Sequence, residues 1–461
     1  MTRKLLTGLL LVCACALAQS PEAVAIVNAK IVTVSGPTID RGTVVVRNGL
    51  IEAVGENVSV PADAWVVAGE GLTVYPGLID PLSTVGLEAA APAAATGGRA
   101  GRGAAAPMTL AAPAATPTAP AERARGPEDR PATTSWLLAA DELQPTDRGI
   151  ETIRSAGFTT SATFPNRGIF AGQGSLIDLA SGEKAGDMVV VPALGQYISL
   201  SRGGGGGFGA GFPSSLMGVI AYIRQIYLDA AHYQLVKDAY AKNPRGMERP
   251  AYDRALEGVL ASSRILFPAN RLVEMDRMLR FAAELKQPVI LYGGREAYRP
   301  EALEVLKKAA APVLVSMRWP EAPRDPNPED VDSFRVLEMR DNAPTAPALL
   351  EKAGVRFALY TDGLEQPRDI QRAVKKAIDA GLSRDNAIRA LTLSPAEIYG
   401  VSDRMGSIDK GKIANLVVTK GEIFDDRTPI QMIFVDGKKY TPAETNGGGR
   451  GMTTTQPGEN Q

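Results

Sequence analysis

The chain has 461 residues, 45% hydrophobic and 22% charged, a globular balance with room for one large domain and an accessory unit. Its formal net charge of −1 gives no electrostatic case for nucleic acid or an anionic membrane surface. A single histidine, His232, removes most options for zinc, for a histidine base and for a Ser-His triad.

Residues 1–20 read as a secretory signal. Arg3 and Lys4 form the charged start, 5–13 is an apolar run too short to span a bilayer, and Ala16-Leu17-Ala18 is a small-residue exit before Gln19. The sequence predicts a mature start at Gln19 and a periplasmic or secreted protein. The alternative reads Val12-Cys13-Ala14-Cys15 as a lipoprotein signal with Cys15 lipidated. Cys13 and Cys15 are the only cysteines, so cleavage at Ala18 leaves none and excludes disulfides and thiol chemistry. No later stretch is long and apolar enough to cross a membrane.

Residues 23–68 alternate short β-rich runs with turns, and Arg47-Asn48-Gly49 is a tight-turn signal before a run at 50–54. The tract 88–131 is Ala/Gly/Pro/Arg-rich with almost nothing bulky to bury, and is expected to be disordered. It serves either as a flexible lid or as a loop without a task. The glycine run 203–207 lacks the context of a phosphate-binding loop and reads as a hinge or loop. From 145 onward helix and strand alternate: helices at 148–156, 215–242, 270–285, 300–310, 345–353, 368–380 and 384–390, strands at 157–163, 288–292, 312–316 and 356–360. This alternation implies an α/β fold with a parallel sheet and crossover helices. His232 falls on a helix away from strand ends, which suits a surface or packing role. Residues 446–461 read as a frayed tail.

Three motifs occur together: Pro76-Gly77-Leu78-Ile79-Asp80, Ser394-Pro395-Ala396-Glu397-Ile398-Tyr399-Gly400, and the run from Gly406 through Asn415 to Val418. Together they resemble the amidohydrolase family, the imidazolonepropionase-like and dihydroorotase-like group, whose first motif continues Asp-x-His-x-His. The resemblance implies a (β/α)8 TIM barrel with a small β-sandwich built from both chain ends. The implied division is a signal at 1–18, sandwich at 22–75 plus 404–442, barrel at 76–403 and tail at 443–461. Asn415 stands where the family usually has Asp.

The implied activity is hydrolysis of non-peptide C–N bonds by metal ions at the C-terminal ends of the barrel strands. The family's ligands are two His on strand 1, a Lys or Glu on strand 4, His on strands 5 and 6, and an Asp on strand 8 that shuttles protons. The strand 1 positions carry Leu82 and Thr84 here, the strand 5 position Pro268 and the strand 6 position Tyr292. No strand 4 lysine can be assigned. Asp362 keeps its place at the end of strand 8. The expectation is no metal site and no cofactor, with Asp362 as the catalytic candidate and Thr84, Tyr292, Arg295 and Arg318 as substrate-binding candidates. Arg295 and Arg318 suit a carboxylate, but pairing with Glu296 or Glu321 is the preferred reading. Asp80 and Ser83 are further polar candidates at strand ends. Three readings follow: a pseudoenzyme that binds a small ligand or a partner, a hydrolase rebuilt around Asp362, or a subunit beside an intact amidohydrolase paralogue. A homo-oligomer fits as well.

Overall fold

The computed structural model describes residues 23–88, 127–180, 184–200, 212–322, 331–364, 366–425 and 428–442. The signal, the glycine run, the tail and the stretch 89–126 of the 88–131 tract lie outside the described residues. The end of that tract is tied into the fold: Arg130 pairs with Asp229 at 2.5 Å and with Asp253 at 3.3 Å.

The strands in chain order are β1 (Ala23–Ile31), β2 (Ile39–Arg47), β3 (Leu50–Gly55), β4 (Trp65–Ala68), β5 (Thr73–Pro76), β6 (Leu78–Ser83), β7 (Phe158–Thr163), β8 (Phe170–Asp178), β9 (Val189–Ile198), β10 (Ile265–Ala269), β11 (Val289–Gly293), β12 (Val313–Ser316), β13 (Phe357–Tyr360), β14 (Leu416–Thr419), β15 (Ile430–Val435) and β16 (Lys438–Tyr440). The helices are α1 (Arg148–Ser155), α2 (Leu216–Lys242), α3 (Arg254–Ala261), α4 (Leu272–Glu284), α5 (Pro300–Ala309), α6 (Phe334–Asn342), α7 (Ala346–Ala353), α8 (Pro367–Asp379), α9 (Arg384–Ala390) and α10 (Leu393–Tyr399).

One sheet joins the two ends of the chain. Its order is β16-β15-β14-β5-β1-β2-β3, with β4 also beside β1. The junction is β5 with β14, antiparallel, pairing Thr73 with Thr419 and Pro76 with Leu416. The predicted turn is present: Asn48 and Gly49 take φ of 50° and 78°, the left-handed pair a tight hairpin needs between β2 and β3. Ile26, Ile31, Val44, Ile51, Val74, Leu416 and Phe434 form its core.

The other sheet is the barrel, in the order β13-β12-β11-β10-β9-β8-β7-β6. Its side chains alternate with the pleat. Ile79, Leu82, Leu266, Ile290, Leu314 and Ala358 fill the interior. Their neighbours Leu78, Ile265, Phe267, Leu291, Val313, Val315, Phe357 and Leu359 face the helices. There they meet Ile223, Ile226, Met275, Phe281, Leu306 and Val374. Full burial of each such side chain contributes about 1.5–3 kcal/mol. α8 shows the matching pattern: Ile370, Ala373, Val374 and Ala377 are buried, and Pro367 opens the helix where no N–H partner is required.

The barrel departs from the expected uniform parallel sheet in one place. β8 runs antiparallel to both β7 and β9, and among the described residues no α-helix lies between them. The run Phe170-Ala171-Gly172-Gln173-Gly174 carries no amphipathic signal because both faces of β8 are buried. Gly174 is needed there, since a Cβ would stand 2.2 Å from the Phe164 ring.

The barrel closes at a seam, not a ladder: β6 and β13 are the two ends of the sheet order. Asp80 bridges them. Its Oδ2 accepts from the Thr361 hydroxyl at 2.6 Å, and Oδ1 accepts from the backbone N–H of Thr361 and of Leu82, each at 3.3 Å. The Ile79 N–H donates to the Leu391 carbonyl at 2.7 Å beside it. No described helix is long and apolar enough to cross a membrane.

Candidate functional site

The C-terminal ends of the barrel strands converge on a cavity of about 510 Å³, a size suited to a small molecule. Ser83 ends β6, Thr84 and Leu87 follow it, Phe164 and Asn166 follow β7, and Tyr197, Tyr292 and Tyr360 come from β9, β11 and β13. Asp362 and Gly363 follow β13, and Asp147 and Arg148 close the rim at the start of α1. Asp147 is occupied as a cap, accepting from Gly149 N–H at 2.9 Å and Gly86 N–H at 2.8 Å.

The wall is aromatic. Tyr197 and Tyr292 stack with centroids 5.2 Å apart and planes 23° apart. Phe164 stands 6.0 Å from Tyr197, tilted by 44°. Burial above all, with the charge of Asp362 adding to it, pushes Tyr197, Tyr292 and Tyr360 above the usual phenol range, so all three are neutral at pH 7.

Asp362 sits in the left-handed region at φ 51°, where a side chain with Cβ costs free energy that the surroundings must offset. The Ser316 hydroxyl donates to its Oδ2 at 2.6 Å, and an Arg295 guanidinium nitrogen lies 3.7 Å from the same oxygen. Below it, burial pushes Asp80 up to about 7, against the downward pull of its hydrogen bonds to Thr361 and Leu82.

The candidate residues thus fall into groups. Thr84, Tyr292 and Asp362 meet in the cavity wall, with Arg295 3.7 Å from Asp362. Arg318 is exposed beside it and donates to the Gly363 carbonyl at 2.8 Å. The expected pairing of these arginines with Glu296 and Glu321 does not form. Glu296 is buried and taken by Arg335 at 2.6 Å and by the Leu272 N–H at 3.0 Å, a cap at the start of α4. Arg295 turns instead toward Asp362, and its Nε is buried without a hydrogen-bond partner. Ser83 faces Ser161 at 2.6 Å, and His232 is exposed on α2. The sequence reading missed Tyr197, Phe164, Tyr360 and Ser316. Tyr197 lies on β9, a strand the pattern did not mark.

The fit of a divalent metal can be judged from the donors. Leu82 and Pro268 offer no donor atom, and Tyr292 offers a neutral phenol. Leu82 is buried in the barrel interior with Phe164 and Tyr360. Among the described residues no three His, Cys, Asp or Glu side chains converge as a metal site would require. The side chains present do not fit the family's metal centre.

A second polar cluster lies at the barrel floor. Asp178 at the end of β8 accepts from Thr160 Oγ1 at 3.0 Å and from Asn415 Nδ2 at 2.8 Å. Asn415 Oδ1 in turn accepts from the Asp436 N–H at 2.8 Å. Burial raises Asp178 to about 6. An Asp at 415, the family's usual residue, would face this carboxylate with another. Asn is the side chain that both donates to Asp178 and accepts from Asp436.

A barrel accompanied by a sheet built from both chain ends, with a ligand-sized cavity at its mouth, defines the class of TIM-barrel proteins with a composite accessory sheet. Within it, residues 274–449 match the sequence profile of the amidohydrolase family. Imidazolonepropionase of Flavobacterium johnsoniae is 35% identical over 109 residues, which cover 20% of this chain and 26% of that protein. The match therefore spans about a quarter of that relative. The crystal structure of an amidohydrolase from Thermotoga maritima MSB8 superposes with a TM-score of 0.70 at 25% identity, over 91% of this chain and all of that one. Molinate hydrolase shares the fold, with a TM-score of 0.50 at 15% identity over 91% of this chain and 95% of that one.

Proposed function

We propose that this chain is an exported amidohydrolase-fold protein that binds a small molecule at its barrel mouth without a divalent metal. The supporting observation is the burial of Leu82, at the first of the family's ligand positions, in the apolar cluster that also holds Phe164 and Tyr360. An apolar side chain there removes a ligand and occupies space next to where an ion would sit. What remains is a cavity with neutral phenols, several hydroxyls, the Asp362 carboxylate and, at the rim, Asp147 and Arg148, a surface that can hold and orient a ligand. A thermal-shift screen of small molecules in EDTA tests it. Hits should stabilise the wild type and lose their effect in Tyr292→Ala. Hits that require added metal, or that ignore the mouth variant, would refute it.

A second reading keeps hydrolysis of a non-peptide C–N bond in a metal-free site. It is favoured by the Ser316 hydroxyl, 2.6 Å from the Asp362 carboxylate at the cavity edge. Turnover in EDTA that disappears in Asp362→Asn would establish it. Export rests on the leader reading. Intact mass of protein from a Gram-negative host should place the mature start at Gln19, and a lipidated Cys15 would contradict it.

A further inference from the structure

The mouth cavity brings four aromatic side chains, Phe164, Tyr197, Tyr292 and Tyr360, together with the Asp362 carboxylate, while the other lining carboxylate, Asp147, is engaged as a cap at the rim. The stacked Tyr197–Tyr292 pair and the tilted Phe164 make two walls that meet at an angle. Aromatic faces carry negative charge density and attract cations that have left water. Asp362 is one-third exposed, and its only hydrogen bond from a described residue reaches Oδ2, leaving Oδ1 free. Arg295 approaches that same Oδ2 at 3.7 Å, longer than a hydrogen bond. Arg295 is not among the residues that line the cavity. Arg148 is exposed at the rim and is the one cation among the described lining residues.

From these observations we infer that the barrel-mouth cavity takes a small organic cation, an ammonium or quaternary ammonium group held among the aromatic rings beside Asp362. The inference rests on the ligand-binding reading and names the chemical class of the ligand. The ring faces supply attraction without requiring directed hydrogen bonds, and Oδ1 of Asp362 supplies the counter-charge. An anion would meet that carboxylate and the ring faces, and would find only the rim arginine in its favour.

The test is a series of equal shape and different charge, titrated calorimetrically in EDTA. Choline is the cation, 3,3-dimethylbutan-1-ol its neutral carbon isostere and 3,3-dimethylbutanoate the anion. Benzyltrimethylammonium serves as a larger cation. The cations should bind about tenfold tighter than the neutral isostere, the size expected for a desolvated cation–π contact with a nearby carboxylate. Tyr292→Phe should keep that preference, whereas Tyr292→Leu and Asp362→Asn should lose it while melting like the wild type. Equal binding of the three charges, tightest binding of the anion, or no cation binding at about 10 mM would overturn the inference. In the first two cases, loss of binding in Tyr292→Leu would leave the ligand-binding reading standing. Binding only after metal is added would bring down both.

Discussion

Asp80→Asn isolates the seam of the barrel. Asp80 is wholly buried, and its folded-state value of about 7 lies above the unfolded 3.8, chiefly because burial penalises the carboxylate. The folded chain therefore holds this proton longer than the unfolded chain. The resulting stability is fully present below pH ~4 and is lost as pH rises through about 7. About three pH units at 1.36 kcal/mol each amount to about 4 kcal/mol. Asn keeps the acceptor for the Thr361 and Leu82 N–H groups, and its amide can donate to the Thr361 hydroxyl. It has no proton to lose. The variant should match the wild type near pH 4 and exceed it by about 4 kcal/mol near pH 8. Asp178 shifts in the same direction in both proteins and cancels from the difference. Urea unfolding followed by tryptophan fluorescence, across this pH range, measures it. Profiles that stay parallel within about 0.5 kcal/mol would show that Asp80 does not carry the buried proton.

Asn415→Asp should turn the donor 2.8 Å from Asp178 into a second carboxylate, costing about 3–5 kcal/mol above pH 6 and less in acid, as read from urea midpoints. Gly77→Ala would set a Cβ 2.0 Å from Thr159 Oγ1 and 2.4 Å from its Cγ2, inside a fully buried neighbour. A loss of about 3 kcal/mol or more is expected, and a melting temperature equal to wild type would contradict the packing. Deleting 406–461 removes β14, β15 and β16 and uncovers the edge of β5. Insoluble protein is expected, and a soluble, cooperatively melting truncation would contradict the joint sheet.

The parts of the fold legible in the sequence are those with a local signal. β11, β12 and β13 are short apolar runs between amphipathic helices, and their periods differ from the helical one. The composite sheet was legible because the Pro76–Asp80 and Gly406–Val418 motifs occur at opposite ends of one chain. β8 and β9 were not, because their glycines and buried polar residues erase the alternation that marks a half-exposed strand. Partners far apart in sequence were also hidden. Arg295 has Glu296 next to it, yet the fold sends Glu296 to the head of α4 and brings Asp362 within reach of Arg295. The tie between Asp178 and Asn415 joins positions on different sheets, and neither residue type announces it. At the mouth, the sequence marked Thr84, Tyr292 and Asp362 but not their cavity neighbours Phe164, Tyr197 and Tyr360, which carry no local signal of a site.

The most direct measurement is the metal content of the purified full-length protein expressed with added zinc and manganese, dialysed, and analysed by mass spectrometry beside Asp362→Ala. With Leu82, Pro268 and a neutral Tyr292 at the ligand positions, the wild type should carry far less than one ion per chain and should not differ from the variant. About one ion per chain, lost in the variant, would contradict the metal-free reading.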